Sequence, residues 1–223
     1  MNAARLDAVL DALQLHAEPQ QRQRLLDYLD LLQRWNRVYN LTAVRDPAHM
    51  LDLHLADCLA LLPPLRARAP GRVLDVGSGG GLPGLVIAIA MPDVAVVLND
   101  AVRKKCAFLQ QVAGTLQLRN VTVVHGRVED LRLPAFDCIT SRAFSDLATL
   151  VRLTRHLIAP QGCWAAMKGA RPDAELGALD DSVHAEVQAL TVPGLDARRC
   201  VVWMLPQHSN SQSRQPLATG QPL

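Results

Sequence analysis

Residues 75 to 84 read Asp-Val-Gly-Ser-Gly-Gly-Gly-Leu-Pro-Gly, between an apolar run from Arg72 to Val76 and a second from Leu85 to Met91. The pattern is strand, glycine turn, helix. Glycines at 77, 79 and 81 let the backbone take positive φ and approach a bound molecule closely, with the amides that open the following helix directed at it. Such a turn holds a nucleoside-bearing cofactor. A Gly-x-Gly-x-x-Gly dinucleotide frame can be laid on positions 79, 81 and 84. The fuller frame is Asp-x-Gly-x-Gly-x-Gly from Asp75 to Gly81, with an acid at the strand end and no Lys-Ser/Thr pair to grip a polyphosphate. A carboxylate there repels phosphate and attracts ammonium. S-adenosylmethionine has an α-amino group, a sulfonium and no phosphate, so it suits Asp75, Gly77, Ser78 and Gly79 better than NAD does. A second acid, Asp100, ends the run Val94 to Leu98 and can accept both ribose hydroxyls at the carboxyl end of its strand. Its plainer reading is the N-cap of a helix beginning near Arg103.

The elements that must position these groups are legible in the periodicity. Residues 3 to 62 carry helical stripes, such as Leu6, Val9, Leu10 and Leu13, then Leu25, Leu29 and Leu32, then Leu51, Leu55 and Leu59. Beyond Pro63-Pro64 and Pro70-Gly71, β-branched runs at 72–76, 94–99, 121–125, 136–140 and 162–167 alternate with helical stretches. That alternation predicts a parallel, doubly wound sheet, and runs at 184–192 and 200–205 can close it as an antiparallel hairpin. The expected organisation is a helical extension over 1–70 packed on a core, a cofactor-binding domain over 71–205, and a disordered tail over 206–223, whose polar composition has little to bury.

With 223 residues and 49% apolar composition, the chain can bury one sizeable core. A net charge of +2 and a pI near 8.4 permit RNA binding without demanding it. Five cysteines, at 58, 106, 138, 163 and 200, show neither Cys-x-x-Cys spacing nor histidines at metal-ligand spacing, so reduced buried thiols are expected and no metal. No apolar run reaches the ~20 residues of a membrane span, so the expected setting is the cytoplasm, without membrane association.

Taken together, the landmarks Trp35 to Thr42, His54-Leu55-Ala56-Asp57, Asp75 to Gly84, Asp100, Arg127-Val128-Glu129, Ser141-Arg142-Ala143-Phe144 and Lys168-Gly169 resemble the RsmG (GidB) family of bacterial small-subunit ribosomal RNA guanine-N7 methyltransferases, over roughly residues 20 to 205. The resemblance implies a Rossmann-like class I S-adenosylmethionine-dependent methyltransferase fold, an α/β architecture with a seven-stranded, mostly parallel sheet. It also implies methylation of one guanine of 16S rRNA near the decoding region, with 16S rRNA or the small ribosomal subunit as partner and a monomeric enzyme. Cofactor contacts are implied at Gly77, Leu82, Val128, Glu129 and Arg142. The chain departs from the family pattern at Cys58, at Cys200 and in the tail after Leu205.

Guanine N7 has a free lone pair and no proton, so methylation there needs in-line placement and charge management without a general base. An exocyclic-amine enzyme would carry an Asp/Asn-Pro-Pro-Tyr/Phe turn where this chain reads Ile139 to Phe144. Arg142 is the first candidate for the chemistry, holding the methionine carboxylate, a phosphate or guanine O6, against a structural salt bridge. Lys168 could reach an RNA phosphate, stabilise the developing charge, or be an ordinary surface lysine. His54, three residues before Asp57, could be a positioned imidazole or a structural histidine. Glu129 could accept from the adenine amino group or be a solvated acid. Asn40 and Thr42 could cap or turn the chain into the cleft or be local turn chemistry, while Arg34, Arg37, Arg45, Tyr39 and Arg103-Lys104-Lys105 could contact RNA. Trp35 reads as core.

Overall fold

The computed structural model describes residues 2–207 apart from positions 43 and 45. Helix α1 (Asn2–Ala12) is followed by α2 (Pro19–Tyr39). Pro19 opens α2, where its missing N–H costs nothing, and the Gln21 side chain accepts a hydrogen bond from the Glu18 amide at 2.8 Å. Asn40, in the left-handed region at φ +48°, ends it. Helix α3 (Pro47–Met50) runs into a π-helical segment (Leu51–Ala56), then α4 (Asp57–Leu59) and α5 (Leu62–Ala67). The Pro63-Pro64 pair, expected to end the helical region, lies in the first turn of α5, where proline is tolerated.

The rest alternates: β1 (Arg72–Val76), α6 (Gly84–Ala90), β2 (Ala95–Asp100), α7 (Arg103–Thr115), β3 (Val121–His125), β4 (Phe136–Arg142), α8 (Leu147–Thr154), β5 (Ile158–Lys168), α9 (Asp173–Leu176), β6 (Val183–Leu190) and β7 (Arg199–Pro206). The seven strands form one sheet in the order β3-β2-β1-β4-β5-β7-β6, parallel except where β7 runs antiparallel to β5 and β6. The expected fold class holds. Strand ends differ from the sequence reading where periodicity gives no stop. β4 continues two residues to Arg142, β5 starts four residues earlier, and Pro206 belongs to β7 instead of a tail. The other tail residues from 208 onward lie outside the described residues.

Alternation along the strands divides the core. Val73, Leu98, Cys138, Ala165 and Trp203 pack under α6, α7 and the N-terminal helices, while Leu74, Val76, Ile139, Trp164 and Val202 pack on the α8 side. Trp164 and Trp203 are fully buried, and each indole N–H donates, to Thr154 and Gln188 respectively, so neither leaves a polar atom stranded. All five cysteines are free and buried. Among the described residues no helix is long and apolar enough to cross a membrane.

Candidate active site

Two clusters meet where the parallel strands end. The first is the glycine turn after β1, with Gly77, Gly79 and Gly81 at φ of +65°, +57° and +89°. A Cβ on Gly77 would lie 2.6 Å from the Phe144 ring, and one on Gly81 would strike Leu85. Asp75 is fully buried. Its Oδ2 accepts from the Gly84 amide at 3.1 Å and caps α6, its Oδ1 has no partner, and burial pushes its carboxyl up to about 7. The Ser78 hydroxyl donates to the Asp75 carbonyl at 2.8 Å. Asp100, also buried, accepts from the Gly79 amide at 3.0 Å and the Val102 amide at 2.8 Å. The Gly81 and Leu82 amides both donate to the Ser78 carbonyl.

These bonds decide between cofactor classes. A diphosphate needs the turn amides and the helix N-terminus free to donate. Here Gly79, Gly81, Leu82 and Gly84 all donate to protein acceptors, two of them carboxylates. The site fits a nucleoside cofactor without phosphate, and the NAD reading loses its anchor. Further along the same edge, a 3-10 turn (Val128–Asp130) buries Val128, and hydrogen bonds from its own amide and from Arg127, at 2.7 Å, hold the Glu129 carboxyl below its usual range.

The second cluster surrounds a cavity of about 410 Å³ between the ends of β4 and β5, the start of β7 and the π-helical segment. His54, Asp57, Arg142, Lys168 and Arg199 supply its polar wall, and Leu53, Met167 and Leu190 its apolar one. Arg142 donates from Nη1 to Asp57 Oδ2 at 2.9 Å and meets His54 Nδ1 through Nη2, also at 2.9 Å. A guanidinium cannot accept, so His54 Nδ1 is the acceptor and its proton is on Nε2, 2.6 Å from the Thr42 hydroxyl. This tautomer leaves the 3.1 Å approach of Nδ1 to the Leu53 carbonyl without a proton. Burial, then the Arg142 charge, lowers His54 to about 4, so the ring is neutral at physiological pH. Asp57 Oδ1 accepts from Arg199 Nε at 3.1 Å, so one buried carboxylate holds two guanidiniums. Lys168 Nζ donates to the Ser145 carbonyl at 3.0 Å and to both Glu175 oxygens.

The model of the family described as GidB, rRNA small subunit methyltransferase G, matches residues 21–202. The chain belongs to that family. Its relatives include the Ribosomal RNA small subunit methyltransferase G of Leptothrix cholodnii, 54% identical over 84% of this chain and 88% of that protein, and that of Burkholderia multivorans, 55% identical over 82% of each. Solved structures share the fold. They include a Bacillus cereus O-methyltransferase in complex with SAH, with a TM-score of 0.58 at 17% identity over 81% of this chain and 91% of that one, and an SAH-bound Podospora anserina methyltransferase, with 0.59 at 15% identity over 93% and 96%.

Within this methyltransferase G frame, the chain brings Arg142, Lys168 and His54 onto one cavity, as the sequence placed them at one site. Their partners refine the roles. Lys168 spends its ammonium on Ser145 and Glu175, so its structural reading accounts for every contact it makes. Asp75 and Asp100 hold the turn together; Asp100 is not the N-cap of α7, a position taken by Val102, and its carboxylate accepts from the Val102 amide just before the helix. Gly77 and Leu82 lie in the turn, whose link to the cavity is the bend after β4. There Ala143 takes φ +56°, a conformation costly for a residue with a Cβ, and turns Phe144 onto Gly77.

Sequence reasoning missed Arg199 and the double role of Asp57. Nothing local signals a pair 142 residues apart, because only the antiparallel return of β7 brings them together. Trp35 packs on Phe108 at 5.4 Å and on Tyr39 at 4.9 Å, in keeping with a core role. Arg45 lies outside the described residues, and Lys105 approaches Asp100 at 3.7 Å. Among the described residues, no group of three metal-ligating side chains could hold an ion.

Proposed function

We propose that this chain is an S-adenosylmethionine-dependent methyltransferase that modifies N7 of a guanine in the 16S rRNA of the small ribosomal subunit, acting as a monomer. The observation that carries the reading is the junction of a phosphate-excluding glycine turn with a cavity whose His54 and Asp57 acceptors are already engaged by arginines. S-adenosylmethionine, when bound, supplies an electrophilic methyl group on sulfur. Gly77, Ser78, Gly79, Leu82, Asp100, Val128 and Glu129 are the residues we assign to holding it, with buried Asp75 shaping the turn from beneath and Arg142 between cofactor and substrate.

Among the described residues that line the cavity, the two strongest candidate bases are already engaged: His54 Nδ1 accepts from Arg142, and both Asp57 oxygens accept from arginines. An exocyclic amine or hydroxyl acceptor would need such a base during transfer, whereas guanine N7 attacks with its own lone pair. Positive charge moves from sulfur to the purine in that step. Asp57 is shared by Arg142 and Arg199, Lys168 is paired with Glu175 and the imidazole is neutral, so the wall sets one uncompensated positive charge, not several, against the purine as it gains its own. The apolar wall of Leu53, Met167 and Leu190 can pack on the base, and we assign the helices of residues 1–70 to covering one side of the site.

The test is incubation of ribosomal RNA from cells lacking the family enzyme with labelled S-adenosylmethionine, followed by mapping of the modified base. A single 7-methylguanosine in 16S rRNA is expected. A label on an exocyclic nitrogen, a ribose or another RNA would overturn the assignment.

A further inference from the structure

Helix α2 backs the glycine turn from outside the cofactor domain. The Tyr28 hydroxyl donates to the Gly80 carbonyl at 2.7 Å, across 52 residues of sequence, and Tyr28 has no exposed surface. Leu32, one helical turn further on, would lie 3.0 Å from a Cβ on Gly80. Gly80 is the middle of the turn, between the positive-φ residues Gly79 and Gly81. Gly80 is itself buried, and the phenol is the hydrogen-bond donor its carbonyl meets there. Burial raises the Tyr28 hydroxyl well above 10, so it stays protonated and donating at any working pH.

The same helix reaches the cavity. Asn36, two turns beyond Tyr28 on the buried face, donates from Nδ2 to the Val44 carbonyl at 3.0 Å and accepts from the Thr42 amide at 2.8 Å. Thr42 in turn receives the His54 Nε2 proton. One uninterrupted helix therefore grips the turn at one point and the His54–Arg142 wall at another.

We propose that Tyr28 is a positioning residue for the cofactor: its hydrogen bond to Gly80 sets the orientation of the turn peptide, and α2 keeps that turn in register with the substrate cavity. The proposal rests on the S-adenosylmethionine reading above. It assigns to a helix outside the glycine motif a direct part in cofactor affinity.

The experiment compares Tyr28→Phe with the wild type by calorimetric titration of SAH and by steady-state methyl transfer. Removing the one oxygen strands the buried Gly80 carbonyl, and the expected result is about a tenfold rise in Kd for SAH and in KM for S-adenosylmethionine. Thr154→Val is the control for general destabilisation, because it removes a buried hydroxyl bonded to Trp164 on the opposite face of the sheet. It should lower the melting temperature without moving Kd. Equal effects of the two variants on Kd, or an unchanged Kd in Tyr28→Phe, would overturn the proposal.

Should Tyr28→Phe fail to fold, the two tyrosines of the chain allow a second measurement on the otherwise unaltered protein. Labelling with 3-fluorotyrosine gives one fluorine signal from buried Tyr28 and one from half-exposed Tyr39, assigned with Tyr39→Phe. Saturating SAH should shift the Tyr28 signal, and an unmoved signal would refute the coupling. Absence of any SAH heat with the wild type would instead defeat the cofactor reading itself.

Discussion

Asp75→Asn should make the protein more stable above neutral pH and more sensitive to acid. Asp75 is fully buried, with one oxygen on the Gly84 amide and the other unpartnered, and burial lifts its carboxyl from an ordinary value near 3.8 to about 7. An acid whose folded value is raised binds more protons in the folded state, so its contribution to stability falls as pH rises from about 4 to about 7. At about 1.36 kcal/mol per pH unit the loss is about 4 kcal/mol. His54 acts oppositely. Its folded value of about 4, against an ordinary 6.5, costs stability as pH falls through that window, by about 3 kcal/mol on the same scale. The two slopes nearly cancel in the wild type between pH 4 and 6.5. Asparagine keeps an acceptor for Gly84 and never ionises, at the expense of a buried amide N–H worth about 1–3 kcal/mol. Urea denaturation of both proteins at pH steps from 4.5 to 8 isolates the Asp75 contribution as a difference. The variant is expected to gain about 3–4 kcal/mol relative to the wild type across that range, ending about 1–3 kcal/mol more stable at pH 8, with the His54 slope unmasked. A difference constant within 0.5 kcal/mol from pH 4.5 to 8, about the scatter of additive sites, would show that Asp75 titrates normally and refute the reasoning.

Gly77→Ala combines a φ of +65° with a Cβ 2.6 Å from Phe144, and should lose about 2–4 kcal/mol of stability and at least tenfold in SAH affinity, measured by thermal melts and calorimetry. Asp57→Asn leaves Arg142 and Arg199 with an amide oxygen in place of a carboxylate, and kcat is expected to fall about tenfold or more with a smaller change in SAH Kd; an unchanged kcat would remove Asp57 from the site. Lys168→Met leaves Glu175 only its bond from the Leu147 amide and should destabilise by about 1 kcal/mol while leaving the salt dependence of RNA binding unaltered; a flatter salt slope would restore a phosphate contact to Lys168. The paired reversal Arg34→Glu and Arg37→Glu, on the exposed end of α2 beside Val38 and Tyr39, should weaken RNA binding and flatten its salt slope without affecting SAH binding.

The parts of the site that could be read from the sequence are those where chemistry is written in adjacent residues. The glycine turn needs positive φ at 77, 79 and 81, and only glycine supplies it cheaply, so the motif and its conformation are one fact. The sheet was legible because strand and helix periods alternate from Arg72 onward. Polar partnerships were not. Whether Asp75 faces a ligand or caps a helix depends on where the Gly84 amide points, and whether Lys168 meets phosphate or Glu175 depends on how α9 folds back. Those choices are made by three-dimensional closure, and burial then sets their sign. The same aspartate that the sequence offers as a free anion becomes, once sealed beneath α6, a group whose proton is held to about pH 7. Arg142 shows the reverse. Its place at the end of β4 and in the 141–144 motif was readable, but what makes it useful is the set of acceptors around it, from Leu53, His54 and Asp57, which fix the planar guanidinium against the cavity wall before any substrate arrives.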